Sequence, residues 1–144
     1  MTTTAAPEFA TLREKIAYEK QARLDRFARF EEIYQLAREA GWDAHEADIP
    51  TPMTVVSASQ EWLIEDGACG FAWVIVRPGT SSFARWLVKN GHGSAAYGGG
   101  VMIWVNTQSQ SLARKQAYAQ AFAGVLTGSE ELSGLHIFAG SRMD

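Results

Sequence analysis

Two places in this sequence carry arginine where a carboxylate is the usual choice. In VIVRPGTSSFARWLVKNGHG, Val74 to Gly93, an apolar run ends at Arg77. A Pro-Gly turn follows, then Thr80, Ser81 and Ser82, then a short helical pattern bearing Arg85, Trp86 and Lys89. Further on, WVNTQSQSLAR repeats the layout, ending in Ser111 and Arg114. The first turn of a helix favours Asp or Glu, because its free N–H groups and macrodipole attract negative charge. Both starts lack an acid, which leaves room for an anion held by backbone N–H groups and guanidinium together. If the two strands are parallel neighbours, both joints share one sheet edge, where ligands of open α/β sheets bind. The plainer reading is that Ser81, Ser82, Ser109 or Ser111 caps its own helix and the arginines reach carboxylates elsewhere.

The charge distribution sharpens this alternative. Net charge is −3, yet residues 1–66 hold thirteen Asp/Glu against seven Lys/Arg, and no acid occurs from Gly67 to Ser129. Arg77, Arg85, Lys89, Arg114 and Lys115 all lie in that acid-free stretch. Their counter-charges come from the acidic N-terminal half or from an anionic ligand.

Other reactive residues are sparse. Cys69, the single cysteine, sits in a strand pattern and reads as a small buried hydrophobe. It excludes a disulfide framework and a multi-Cys zinc site. His45, His92 and His136 show no metal-ligand spacing, so neither metal nor cofactor is expected. No acid–base pair or nucleophile stands out, so catalysis is not expected. His92 and Tyr97 flank a Gly-rich run, and Gly99 in YGGGV removes a side chain where a ligand or neighbouring backbone could approach. Trp86 and Tyr97 lie outside the strands, where an aromatic beside a cation suits a flat charged ligand. Phe71 and Trp104 lie within strands and read as core. Few cations, an acidic balance and no recognition motif argue against nucleic acid as a partner.

The elements that must carry these residues follow from period and punctuation. Residues 1–7 read as a disordered lead-in and residues 8–50 as a helical arm with a linker. Residues 51–144 read as a compact domain. Pro7 to Gly41 has helical spacing of apolar residues with no internal Pro or Gly. Its Arg13–Arg26 part is charged on most faces, so it is expected to project or to pack on another subunit. MTVVSA reads as an edge strand, and EWLIEDGACGFA as a hairpin about Asp66-Gly67. CGFAWVIV is apolar on both faces, as for a central strand covered on both sides. Helix 82–90, strand 101–105, helix 109–126 and strand 135–139 complete the order. The fold class is therefore α/β (α+β). A long N-terminal helix is followed by a small mixed sheet in strand–helix–strand–helix–strand order, with helices packed on it. No apolar run reaches the roughly 20 residues of a membrane span, and no signal peptide is visible at the N-terminus. A cytoplasmic setting is expected.

The strings DGACGFAWVIVRPGTSSFARWLVKNG, YGGGVMIWV, QSLARKQAYAQAFAGVL and AGSRMD resemble a group of small uncharacterised proteins encoded by phages and prophages. The resemblance covers residues 66–144. It implies a phage context, hence the host cytoplasm, and no mechanism. It also singles out Arg142 and Asp144 in the C-terminal tail.

Two functions fit these residues. The first is a non-enzymatic module, homo-oligomeric through its N-terminal helix, holding an anionic, nucleotide-like small ligand; in a phage this suits sequestration of a host defence signal. The second is a virion part or an inhibitor of a host protein, working through that helix. The first predicts that Arg77, Arg85 and Arg114 converge on one cavity at the edge formed by residues 77–85 and 106–114.

Overall fold

In the computed structural model, which describes residues 7–144, the first helix begins at a pair of local caps. Thr11 Oγ1 accepts the Glu14 amide at 3.2 Å, and Glu14 reaches back to the Ala10 amide at 3.1 Å. This reciprocal capping starts α1 at Leu12, not at Pro7. Apart from Pro7, the expected lead-in lies outside the described residues.

Helix α1 runs unbroken from Leu12 to Ala47. Its two halves differ. Leu12–Arg26, about 22 Å at 1.5 Å per residue, is exposed throughout. Phe30, Ile33, Tyr34 and Ala37 are buried. Gly41 does not stop the helix. A Cβ there would stand 2.9 Å from Tyr118 Cζ, so this glycine is the notch through which a later helix approaches. The helix ends before Pro50, whose ring disfavours helical backbone in the preceding residue.

A separate hairpin follows, β1 (Met53–Val56) against β2 (Glu61–Ile64), closed by Ser57 and Gln60. The expected hairpin at residues 61–72 does not form, because β2 pairs backward with β1. At Asp66-Gly67 only the glycine has positive φ, +71°, whereas a type I′ turn needs both. The dipeptide instead turns the chain into the second sheet.

That sheet contains β3 (Gly70–Arg77), β4 (Ser94–Ala95), β5 (Val101–Trp104) and β6 (His136–Met143), in the order β4-β5-β3-β6. Helices α2 (Ser82–Lys89) and α3 (Leu112–Gly128) supply the connections, with a 3-10 turn at Glu130–Leu132. The α+β class, the long first helix and the element order are as expected. Strand direction differs, since every neighbouring pair is antiparallel. Helix α2 has eight residues, about 12 Å, too short to return the chain along β3, which spans about 27 Å. The link therefore begins and ends at one end of the sheet. It closes with the Gly98–Gly100 turn, where all three glycines have positive φ. The 17-residue α3 does cross the sheet's length, so β5 and β6 run the same way with β3 between them.

All three helices lie on one side. Phe83 and Leu87 of α2, Phe122 and Leu126 of α3, and Ile33 of α1 pack with Val74 and Val76 into one core. Among the described residues, no helix is long and apolar enough to cross a membrane.

Candidate functional site

Side chains alternate across a strand, and register assigns each to a face. Ala72, Val74 and Val76 join Val101, Ile103 and Ile137 on the helix side, all buried. The other face carries Phe71, Trp73, Ile75 and Arg77 of β3 beside Met102 and Trp104 of β5. From β6 it takes His136, Phe138, Gly140 and Arg142. No described helix covers it. The expectation that β3 is covered on both sides is therefore corrected: the second face is open. Phe71, Trp73 and Phe138 are half-buried and Trp104 is 43% exposed, so Phe71 and Trp104 are surface residues, not core. Only Ile75, 6% exposed beneath the rings, is closed to solvent.

The rings on this face are ordered by one another. Trp73 and Trp104 stand directly opposite and stack, with centroids 5.8 Å apart and planes 11° apart. Phe71 lies 5.5 Å from Trp104. Gly140 faces Trp73 across β6; a Cβ there would come within 2.8 Å of Trp73 Cε2. The missing side chain lets the indole lie along the sheet. Cations bracket the rings. The Arg77 guanidinium lies 5.3 Å from the Phe138 centroid, and that of Arg142 lies 5.3 Å from the Phe71 centroid. Arg77 Nε also donates to Gly99 O at 3.1 Å. Neither arginine has a carboxylate partner among the described residues. An aromatic platform bracketed by unneutralised guanidinium groups matches a flat, negatively charged ligand, which stacks on the rings and answers the charge.

The residues expected to form one site are dispersed. Antiparallel β3 and β5 leave the sheet in opposite directions: β3 exits at Arg77, and Ser111 at the second joint bridges Cys69, about 27 Å away along the strand. Arg77 and Arg85 belong to one end, Arg114 to the other, where Ser111 bridges Cys69. The three arginines do not converge. The serines do cap: Ser81 Oγ accepts the Ala84 amide at 3.2 Å, and Ser111 Oγ, fully buried, accepts the Arg114 amide at 3.3 Å. The arginines, however, do not reach the N-terminal carboxylates. The ion pairs among described residues are Arg29 with Glu32 and Glu131, and His45 Nδ1 lies 3.3 Å from the Glu46 carboxylate.

Thr80, Ser82, Arg85, Trp86 and Lys89 line a second, shallow groove of about 280 Å³ with Phe27 of α1. Within it Trp86 is 5% exposed and belongs to the core, packed on Phe30, Tyr34 and Phe83. His92 stacks on Tyr34 at 4.0 Å, and burial pushes the Tyr34 phenol above its ordinary value. Tyr97 is fully exposed at the glycine turn. Cys69 is exposed, outside any strand.

Trp73, Phe138 and His136 were absent from the expected site, although their signal was present. Phe71, Trp73 and Arg77 stand at alternate positions of β3, Met102 and Trp104 of β5, and His136, Phe138 and Arg142 of β6, a pattern that becomes one surface only once antiparallel register is known. Comparison with known proteins adds no relative to this geometry: no family model, curated protein or solved structure matches the chain.

Proposed function

We propose that the chain is a non-enzymatic binding module that holds an anionic, nucleotide-like small ligand on the open face of its sheet. One observation carries this reading: Phe71, Trp73, Trp104 and Phe138 form an uncovered aromatic surface with Arg77 and Arg142 at its two ends and no described carboxylate paired to either. Stacking on one ring contributes about 1–3 kcal/mol per base, and the arginines add charge recognition. With the phage context implied by the resemblance of residues 66–144, such a module suits sequestration of a host nucleotide signal. The host cytoplasm is then its setting.

Adenosine 5′-monophosphate titrated against the protein tests this through tryptophan fluorescence. We expect saturable quenching that is lost in Trp104→Ala. Quenching that persists unchanged in that variant removes the sheet face from the reading.

A second reading rests on a different observation. Leu12, Ile16, Tyr18 and Leu24 of α1 are each about half exposed or more, on a 15-residue stretch with no core beneath it. An isolated helix of that length is marginal in water, which favours burial by a partner, whether a second copy or a host protein. Sedimentation velocity of the full chain and of a variant with Ile16 and Leu24 changed to Glu tests self-association. A sedimentation coefficient that does not fall in the variant excludes the arm as the homo-oligomer contact.

A further inference from the structure

At the Gly70 end of β3 the sheet is incomplete, because β5 ends opposite Trp73 while β3 continues two strand positions past Ala72. The gap is a pocket of about 300 Å³, at the lower limit of small-ligand sites. Its floor carries the ammonium of Lys115. This lysine is 8% exposed, yet its single hydrogen bond among the described residues goes to Gly70 O, at 3.2 Å. No described carboxylate lies within 4.0 Å of Nζ. Ammonium has three N–H donors, so two have no acceptor among the described residues, and no described carboxylate pairs with the charge. Buried charges are ordinarily paired, because desolvation penalises them heavily otherwise. The remaining wall is polar: Thr107, Ser109 and Gln110 of the loop that leads into α3, whose first turn has no acid.

Phe71 ties this pocket to the open face. Lys115 Nζ lies 5.4 Å from its ring centroid and the Arg142 guanidinium 5.3 Å from the same centroid. Phe71 thus belongs both to the pocket wall and to the aromatic row with Trp104. We infer that the pocket is a phosphate subsite: a phosphomonoester anion sits on Lys115 while the ring attached to it stacks at the Phe71–Trp104 end of the sheet. The placement of the ring rests on the proposed function; the phosphate seat rests on Lys115 alone. Asp144 is the internal competitor. It lines the same pocket, its amide donates to Cys69 O at 3.0 Å, and its carboxylate is not paired with Lys115.

Cys69 supplies the readout. It is the chain's one cysteine and stands exposed on the pocket's lip, so alkylation by neutral iodoacetamide reports occupancy. Inorganic phosphate is expected to slow alkylation several-fold without quenching tryptophan. Adenosine 5′-monophosphate is expected to do both and to bind about tenfold more tightly than adenosine, the scale of one charge-assisted contact. Lys115→Met should abolish that tenfold gain while leaving adenosine binding in place, and Lys115→Arg should restore part of it. Asp144→Asn should tighten phosphate. Should Lys115→Met fail to fold, the wild-type comparison of adenosine with its monophosphate still decides. Equal affinity for the two, with alkylation indifferent to phosphate, overturns the subsite and leaves the aromatic platform standing. Phosphate protection that disappears in Lys115→Met and is partly kept in Lys115→Arg, without quenching by any nucleoside, keeps the subsite and overturns the platform. Equal loss of melting temperature in Lys115→Met and Asp144→Asn, with no protection by phosphate, makes Lys115 the partner of Asp144 and also overturns the subsite.

Discussion

The two faces of the four-stranded sheet are built from alternate residues of the same strands and have opposite chemistry. On the helix side the side chains are small and branched: Ala72, Val74, Val76, Val101, Ile103 and Ile137. Three helices cover them, and the alanines of α3, with Ala119 and Ala123 buried, allow close approach. On the other side stand the largest apolar residues, with arginine at both ends. Hydrophobic burial alone places large rings inside and cations outside. Here rings and cations share the surface. The covered face accounts for stability, and the open face is the one with chemistry to offer a ligand.

This comparison can be broken at either face. The largest effect is expected from the covered side. Phe122→Ala, at a fully buried ring, should cost about 3–5 kcal/mol in denaturant unfolding. A cost below about 1 kcal/mol would mean that α3 does not close the core. Next comes the helix contact that supports it. Gly41→Val places a Cβ against Tyr118, and overpacking should cost about 1–3 kcal/mol; a neutral result would separate α1 from α3. The open face should respond the other way. Trp104→Ala is expected to lower stability by less than about 1.5 kcal/mol, the worth of one aromatic pair, while the proposed function expects it to weaken binding of adenosine 5′-monophosphate by about 1–3 kcal/mol. Stability falling as far as in Phe122→Ala would make this face a second core. The smallest effect is electrostatic. The hydrogen bond from Arg29 holds the Glu131 carboxyl below its ordinary value. A depressed carboxyl stabilises the fold above its unfolded pKa, and that contribution disappears as pH falls through its folded value. Both partners are exposed, so Arg29→Ala should flatten the melting-temperature profile on the acid side only slightly. A change at neutral pH alone would point to lost packing by the arginine stem.

Much of the architecture was legible residue by residue. The helical spacing of apolar residues between Pro7 and Gly41 announced α1. The charged run from Arg13 to Arg26 announced the exposed half, and Ser81 and Ser111 announced their caps. Gly41 misled because a helix stop and a close helix contact both call for a missing side chain. Only the position of Tyr118, far away in the chain, distinguishes them. Cys69 misled because CGFAWVIV is apolar throughout, yet the strand begins one residue later and the thiol is left at the surface. The candidate site is half legible: Arg77 and Arg142 are named from the sequence, while Phe71 and Trp104 between them read as core and Trp73 and Phe138 are not singled out.

Local interactions operate over a few residues, so the sequence by itself determined the helices, their caps, the apolar strands and the absence of acid between Gly67 and Ser129. Direction and pairing of strands depend on how far each connection can reach, and which face is covered depends on where every helix finally lies. Tertiary structure alone decided that Arg77 and Arg114 stand at opposite ends of the sheet, that Phe71 and Trp104 meet solvent, and that Lys115 is buried with no described carboxylate paired to it. In an antiparallel sheet with helices on one side, residues distant in the chain share a face and similar joints are carried apart.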